Sequence, residues 1–209
     1  MISLQRSLGR PQHFFGLLTE SARLGHVAAT ELHRQLSRPD HAPSLQGVAE
    51  ARRASKAVIG EFRESLVQNF ITPIEREDLE AVAQGLYGIP KAVEKCAERH
   101  ELSWEKVKDI DFSLGSRMLM HATEVVVEMT SALSRLGSLS EIKALEARIS
   151  QIDDDASHIL LDSARHLYQP GQPPLRTIIA TEIFEILGAG IGHCGSLGGT
   201  MARVLLKNS

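Results

Sequence analysis

The sequence predicts an all-α protein, an up-and-down antiparallel bundle of about six helices that can group as two sets of three. Three observations predict it. Of 209 residues, 43% are apolar but only 4% aromatic, and Ala, Leu, Val, Ile and Glu recur throughout, which favours aliphatic helix packing over a sandwich or barrel. Apolar positions return every three or four residues, the period of one buried helical face. Proline, glycine and capping residues cut the chain into about six segments, each long enough for several turns. A chain of this length can bury a substantial core, so residues 1–209 are expected to fold as one unit.

The first helix is expected from about Phe14 to Gln35, stopped by SRPDHAP at residues 37–43 with its two prolines and an aspartate. The second begins near Leu45 and places Val48, Val58, Ile59, Phe62, Leu66 and Phe70 on one buried face. Thr72-Pro73-Ile74-Glu75 reads as a helix start, with Thr72 as N-cap, Pro73 at the first helical position and Glu75 closing a capping box. Glu77 and Asp78 then sit in the first turn, where the helix dipole favours carboxylates, and the helix runs toward Arg99, bent at Pro90. A fourth helix, Asp109 to Leu136, carries Leu114, Met118, Ala122, Val125 and Met129 on one face. Ser138 to Glu141 forms a second capping box, opening a fifth helix whose stripe of Ile142, Leu145, Ile149, Ile152, Ala156, Ile159 and Leu160 continues to about Tyr168. After YQPGQPPL the last helix spans Arg176 to Lys207.

A net charge of -3 gives no basic character, so nucleic acid is not an expected partner. Cys96 and Cys194 stand alone without a CxxC pair, which excludes a disulfide framework and a thiolate zinc site and fits a reducing cytoplasm. The N-terminus lacks a secretory pattern, and no run of about 18 apolar residues is found for a membrane span, so any membrane contact is expected to be peripheral.

The segment FITPIEREDL, Phe70 to Leu79, with FFGLL near the start, RISQIDDDASHIL and the terminal IFEIL and VLLKNS stretches in the same order, resembles the PhoU-like family of proteins that accompany Pit-type phosphate transporters. Phe70, Thr72, Pro73, Glu75, Arg76, Glu77 and Asp78 carry the signature. The resemblance implies a cytoplasmic, all-helical, non-enzymatic regulator of phosphate uptake or phosphate signalling, whose partner is a Pit-type transporter or a signalling protein. It also implies acidic E/D-xxx-D motifs able to hold metal clusters, and here this chain departs from the pattern. Arg52 and Lys56 stand where the second helix would offer acids. On the third helix Tyr87, Gly88 and Lys91 replace acids and only Glu94 is left; on the fifth, Asp153 and Asp155 stay but Ser157 replaces the closing Asp. On the last helix the positions read Gly188, Gly192, Gly195 and Ser196. Hard cations need several converging oxygens, so no metal cofactor is expected.

Other patterns each have a plainer reading beside the functional one. Gly190 to Gly195 matches GxGxxG, but a dinucleotide fingerprint needs a following strand with an acid about 20 residues on, and 14 residues follow Gly195. Gly188, Gly192, Gly195 and Gly199 share one helical face and form either a close packing seam, which would also suit a homo-oligomer, or a break in the helix. Asp154, Asp155, His158, Asp162 and His166 on the fifth helix, with Asp153, and His121, Glu124 and Glu128 on the fourth, could hold a transition-metal ion, against the default of a solvated polar face. Arg52 and Lys56, among Arg53, Arg63 and several glutamates, could hold an anion or pair with Asp153 and Asp155, against the default of an exposed salt-bridged face. No serine or cysteine sits in a catalytic arrangement, so no enzyme is expected. The alternatives to a regulator are a metal-binding bundle and an interaction scaffold that has lost an ancestral task.

Overall fold

The computed structural model describes residues 10–38, 40–135 and 137–208; Pro39 and Leu136, both within predicted boundaries, and the N-terminal stretch MISLQRSLG lie outside them. Six α-helices follow in order: α1 (Arg10–Leu36), α2 (Gln46–Gln68), α3 (Arg76–Val107), α4 (Ser113–Ser134), α5 (Leu139–Arg165) and α6 (Pro174–Asn208), with a 3-10 turn at His166–Tyr168. Each of α1, α2 and α3 packs on the other two, and so do α4, α5 and α6. The two three-helix sets meet chiefly where α1 lies on α4 and α3 lies on α6.

Most apolar stripes point inward as their period requires. Phe14 and Phe62 meet edge to face with ring centroids 6.0 Å apart, joining α1 to α2. Phe112 lies against Phe184 at 4.9 Å and under His100 at 5.9 Å, closing the opposite end of the bundle. Phe70 and Leu114, expected on buried faces, are exposed, Phe70 by 95%. The reason is that α2 ends at Gln68, so Phe70 is no longer in helical phase, while Leu114 sits in the first turn of α4 at the bundle's edge.

Polar groups fix the join between the sets. His26 Nδ1 lies 3.0 Å from Thr123 Oγ1 and His33 Nδ1 lies 3.0 Å from Ser116 Oγ. The two histidines are seven residues apart on α1 and their partners seven apart on antiparallel α4, so one helical register satisfies both. Thr123 donates its single proton to the Met120 carbonyl, which makes His26 the donor to it through Nδ1–H, while His33 Nδ1 lies between Ser116 Oγ and, at 3.3 Å, Ser37 Oγ.

Several boundaries differ from expectation, α1 beginning at Arg10 and α4 at Ser113. The third helix starts at Arg76, because Thr72 Oγ1 donates to the Ile74 carbonyl at 2.7 Å instead of capping, and Glu75 accepts from Lys207. It runs on past Arg99 to Val107, with Pro90 buried inside it. The second capping box is half formed: Ser138 Oγ accepts from the Glu141 amide at 3.2 Å, but the Glu141 carboxylate turns to Arg135. Finally, α6 is long and apolar enough by length and composition to cross a bilayer, although no unbroken apolar run marks it, because glycines and charged residues interrupt its isoleucines and leucines. The same helix packs on α3, α4 and α5, as the core helix of a bundle does.

Burial drives the His100 imidazole down to about 4, and burial, with Arg117 and His121 adding to it, lowers His33. Both rings therefore bind protons less readily in the folded chain than in the unfolded one. The stability they allow is complete above the ordinary histidine value of 6.5 and declines as pH falls below it, for His100 until about 4. Thermal unfolding followed from pH 7.5 down to 4.5 is expected to show this loss, with a slope of up to about 1.4 kcal/mol per pH unit from His100, and His100→Gln is expected to flatten it.

Candidate functional site: a charged cleft between α2, α3 and α6

The third helix carries two glycines on the face it turns to α6, and the shape of the site follows from them. A Cβ at Gly85 would stand 2.6 Å from Leu197 Cδ1, and one at Gly88 would stand 2.3 Å from His193 Nε2. His193 and Leu197, one turn apart on α6, thus fill two hollows that only glycine leaves open. His193 Nε2 donates to the Gly85 carbonyl at 2.8 Å, which fixes the ring's tautomer.

Beside this contact, α2, α3 and α6 enclose an open cleft of about 840 Å³ with an apolar floor at Ala92, Ile186 and Ala189. Its walls carry both charges. Arg52 of α2 donates to Glu94 of α3, and Arg99 of α3 donates to Glu182 of α6, so one ion pair ties α2 to α3 and another ties α3 to α6. Arg52 Nε is buried without a hydrogen-bond partner. Lys91, Lys95, Glu98 and Glu185 complete the rim as exposed groups of both signs.

Arg52 therefore reaches neither Asp153 nor Asp155; its carboxylate is Glu94, and Lys56 lies exposed one turn further along α2. Arg52 stands at a sequence position where the family resemblance implies an acidic ligand of a metal cluster, and its guanidinium is paired with Glu94. The residues present do not fit such a cluster: a fixed cation already neutralises Glu94, Gly88 receives an imidazole, and Lys91 adds a second positive charge. Paired charges stand where a coordination sphere would have to be.

The fifth helix meets the glycines of α6 in a second way. Leu160 Cδ1 lies 3.1 Å from the Cβ position of Gly188, the Asp153 carboxylate 3.6 Å from those of Gly192 and Gly195, and Glu146 Oε1 3.8 Å from that of Gly199. Residues 146, 153 and 160 are seven apart, so α5 lays one side chain per two turns along a glycine groove in an unbroken α6. The other acids and histidines of the proposed metal set are not brought together. Asp155 accepts from Gln151, Asp162 from Arg165 and Glu128 from Arg148, while Asp154, His158, His166, His121 and Glu124 are exposed. Among the described residues no three His, Cys, Asp or Glu side chains converge as metal ligands.

The signature residues form the α2–α3 junction. Arg76 donates to the carbonyls of Leu66 and Asn69 at the end of α2, and Glu75 and Asp78 accept from Lys207 of α6. Pro73 is partly buried beside the buried Ile74, whereas Phe70 and Glu77 are exposed. Neither thiol is available for chemistry: burial pushes Cys96 up to about 12 and, with Asp153 adding to it, Cys194 as well.

Sequence reading missed the cleft. Arg52–Glu94 and Arg99–Glu182 join residues 42 and 83 positions apart, and no local spacing marks such pairs. The hollow at Gly88 had one sequence signal, a glycine three residues after Gly85 inside a helical pattern, which implies close approach of a neighbour.

Gly88→Ala forces the His193 ring from its hollow and is expected to destabilise by about 1–3 kcal/mol; His193→Ala in the same chain recovers part of that loss, so the two substitutions read as non-additive in chemical denaturation. Neither cysteine is expected to react with a thiol reagent at pH 8 in the folded chain, and both react once it is unfolded, as quantified by mass spectrometry.

No family model matches the chain. It is 22% identical over 140 residues, 67% of its length and 68% of the relative's, to the UPF0111 protein YkaA of Bacillus subtilis (strain 168). Two solved structures from Shewanella oneidensis MR-1 share its architecture. A PhoU-like protein matches with a TM-score of 0.82 at 14% identity, over 92% of this chain and 99% of that one. A "putative PhoU-like phosphate regulatory protein" matches with a TM-score of 0.74 at 12% identity, over 93% and 99%. The six helices in two sets of three are thus a PhoU-like helical bundle.

Proposed function

We propose that this chain is a non-enzymatic regulatory or accessory protein of inorganic phosphate transport or phosphate signalling, a single PhoU-like unit that acts at the cytoplasmic side of the membrane by contact with another protein. The observation that carries the reading is the architecture itself, shared over nine-tenths of the chain with two PhoU-like structures, one of them named as a phosphate regulatory protein. The chemistry of the chain supports a contact role. Its two thiols are buried and held protonated, and the cleft's inner charges, Arg52 and Glu94, Arg99 and Glu182, neutralise each other. A Pit-type phosphate transporter is the partner proposed.

Deleting the gene and measuring uptake of labelled phosphate, with and without the chain restored, tests the reading. A change in uptake that is restored by the chain, together with co-purification of the transporter, is the expected result; unchanged uptake and no association would leave the scaffold alternative. Elemental analysis of the purified protein is expected to give well below one metal equivalent per chain. Stoichiometric iron, manganese, zinc or nickel that disappears with Asp153→Asn would overturn the ligand argument and favour a metal-binding bundle.

A further inference from the structure

The junction between α2 and α3 is built tightly and yet turns its largest side chain outward. Asn69 Nδ2 donates to the Ser65 carbonyl at 2.6 Å, Thr72 Oγ1 donates to Ile74 at 2.7 Å, and Arg76 holds the last carbonyls of α2. Ile74 is buried and Lys207 ties Glu75 and Asp78 to the end of α6. Thr72, Ile74, Glu75, Arg76 and Asp78 thus each have a structural use. Phe70 has none: it is 95% exposed, beside Ile71 at 79% and Val67 at 80%. Leaving an aromatic and two β-branched residues in water at the end of α2 and on the fixed loop after it forgoes their burial, and a preorganised apolar tip is the form that interface anchors take.

Charge around the tip selects the occupant. Three described cations of the junction are already engaged, Arg63 with Glu80, Arg76 with backbone carbonyls and Lys207 with Glu75 and Asp78. Two acids beside the tip are not. Glu64, one turn before Val67 on the same side of α2, and Glu77, in the first turn of α3, are exposed and engaged by no described cation. An anionic bilayer surface would be repelled by these carboxylates. A second copy docking through the same patch would set Glu64 and Glu77 against their own equivalents.

We propose that the Val67–Phe70–Ile71 tip, with Glu64 and Glu77, is a docking element that inserts into an apolar pocket rimmed by lysine or arginine on a different protein. This surface stands on its own observations, and the transporter proposed above is one protein that could carry such a pocket.

The test is photo-crosslinking in cells with p-benzoylphenylalanine at position 70 and, as control, at the exposed position 27 of α1. The expected result is a light-dependent adduct from position 70 only. It should map to an apolar segment of a separate protein flanked by Lys or Arg, and fall at least about tenfold when Glu64→Lys and Glu77→Lys reverse the rim. The exposed positions make folding failure easy to exclude, since the variants' Tm should stay within about 2 °C of the parent. No adduct, an adduct confined to this chain within one copy or between two, or one indifferent to charge reversal overturns the proposal. So does Phe70-dependent flotation on vesicles of phosphatidylcholine and phosphatidylglycerol. An adduct on a protein unrelated to phosphate would uphold the docking element while removing the transport reading. Transporter binding that survives Phe70→Ser with Ile71→Ser would do the reverse.

Discussion

The approach of α6 to α3 at Gly85 and Gly88 is the constraint on which the rest of this structure depends. The two three-helix sets touch chiefly through α1 on α4 and α3 on α6, so each join must fix both distance and register. At α3 the missing side chains set the distance, and His193 and Leu197 set the register by filling the hollows. At α1 the two imidazoles do the corresponding work against Thr123 and Ser116. The charged cleft lies beside the first join, since Gly88 and His193 both line it.

Much of the architecture was legible in the sequence because helical period and punctuation are local properties. Val48, Ile59 and Phe62, or Ile142, Ile149, Ala156 and Leu160, declare a buried face without knowledge of the partner helix. Boundaries were less legible where two uses compete for one residue. Thr72 has the chemistry of an N-cap, but its hydroxyl proton is taken by Ile74 and the helix starts four residues later. Phe70 has the spacing of a core residue, but helical phase ends with Gln68.

The site was legible only in part. Arg52, Gly88 and Lys91 stand where the family resemblance implies acids, and that led to the expectation that no metal cluster would assemble. Which carboxylate Arg52 would meet could not be seen, because α2 has neighbours on more than one side and the choice between Glu94 and Asp153 is made by tertiary packing. The two acids of α5 illustrate the same point: Asp153 faces the glycines of α6 while Asp155, two residues on, accepts a hydrogen bond from its own helix.

The seven-residue repeat on α5 has a consequence for sliding. Helices that mesh through a repeating pattern can slip by one period and mesh again, and a shift of seven residues would carry Asp153 to the place of Leu160. That place is an apolar hollow shared by Gly188 and Gly115, where Leu160 Cδ2 comes within 2.7 Å of the Gly115 Cβ position. A carboxylate there would be stripped of water with nothing to pair with it. The groove thus tolerates acid at two stations and rejects it at the third, and that single unlike station makes the pattern directional, so α5 has one resting place along α6 where a uniform stripe would have offered several.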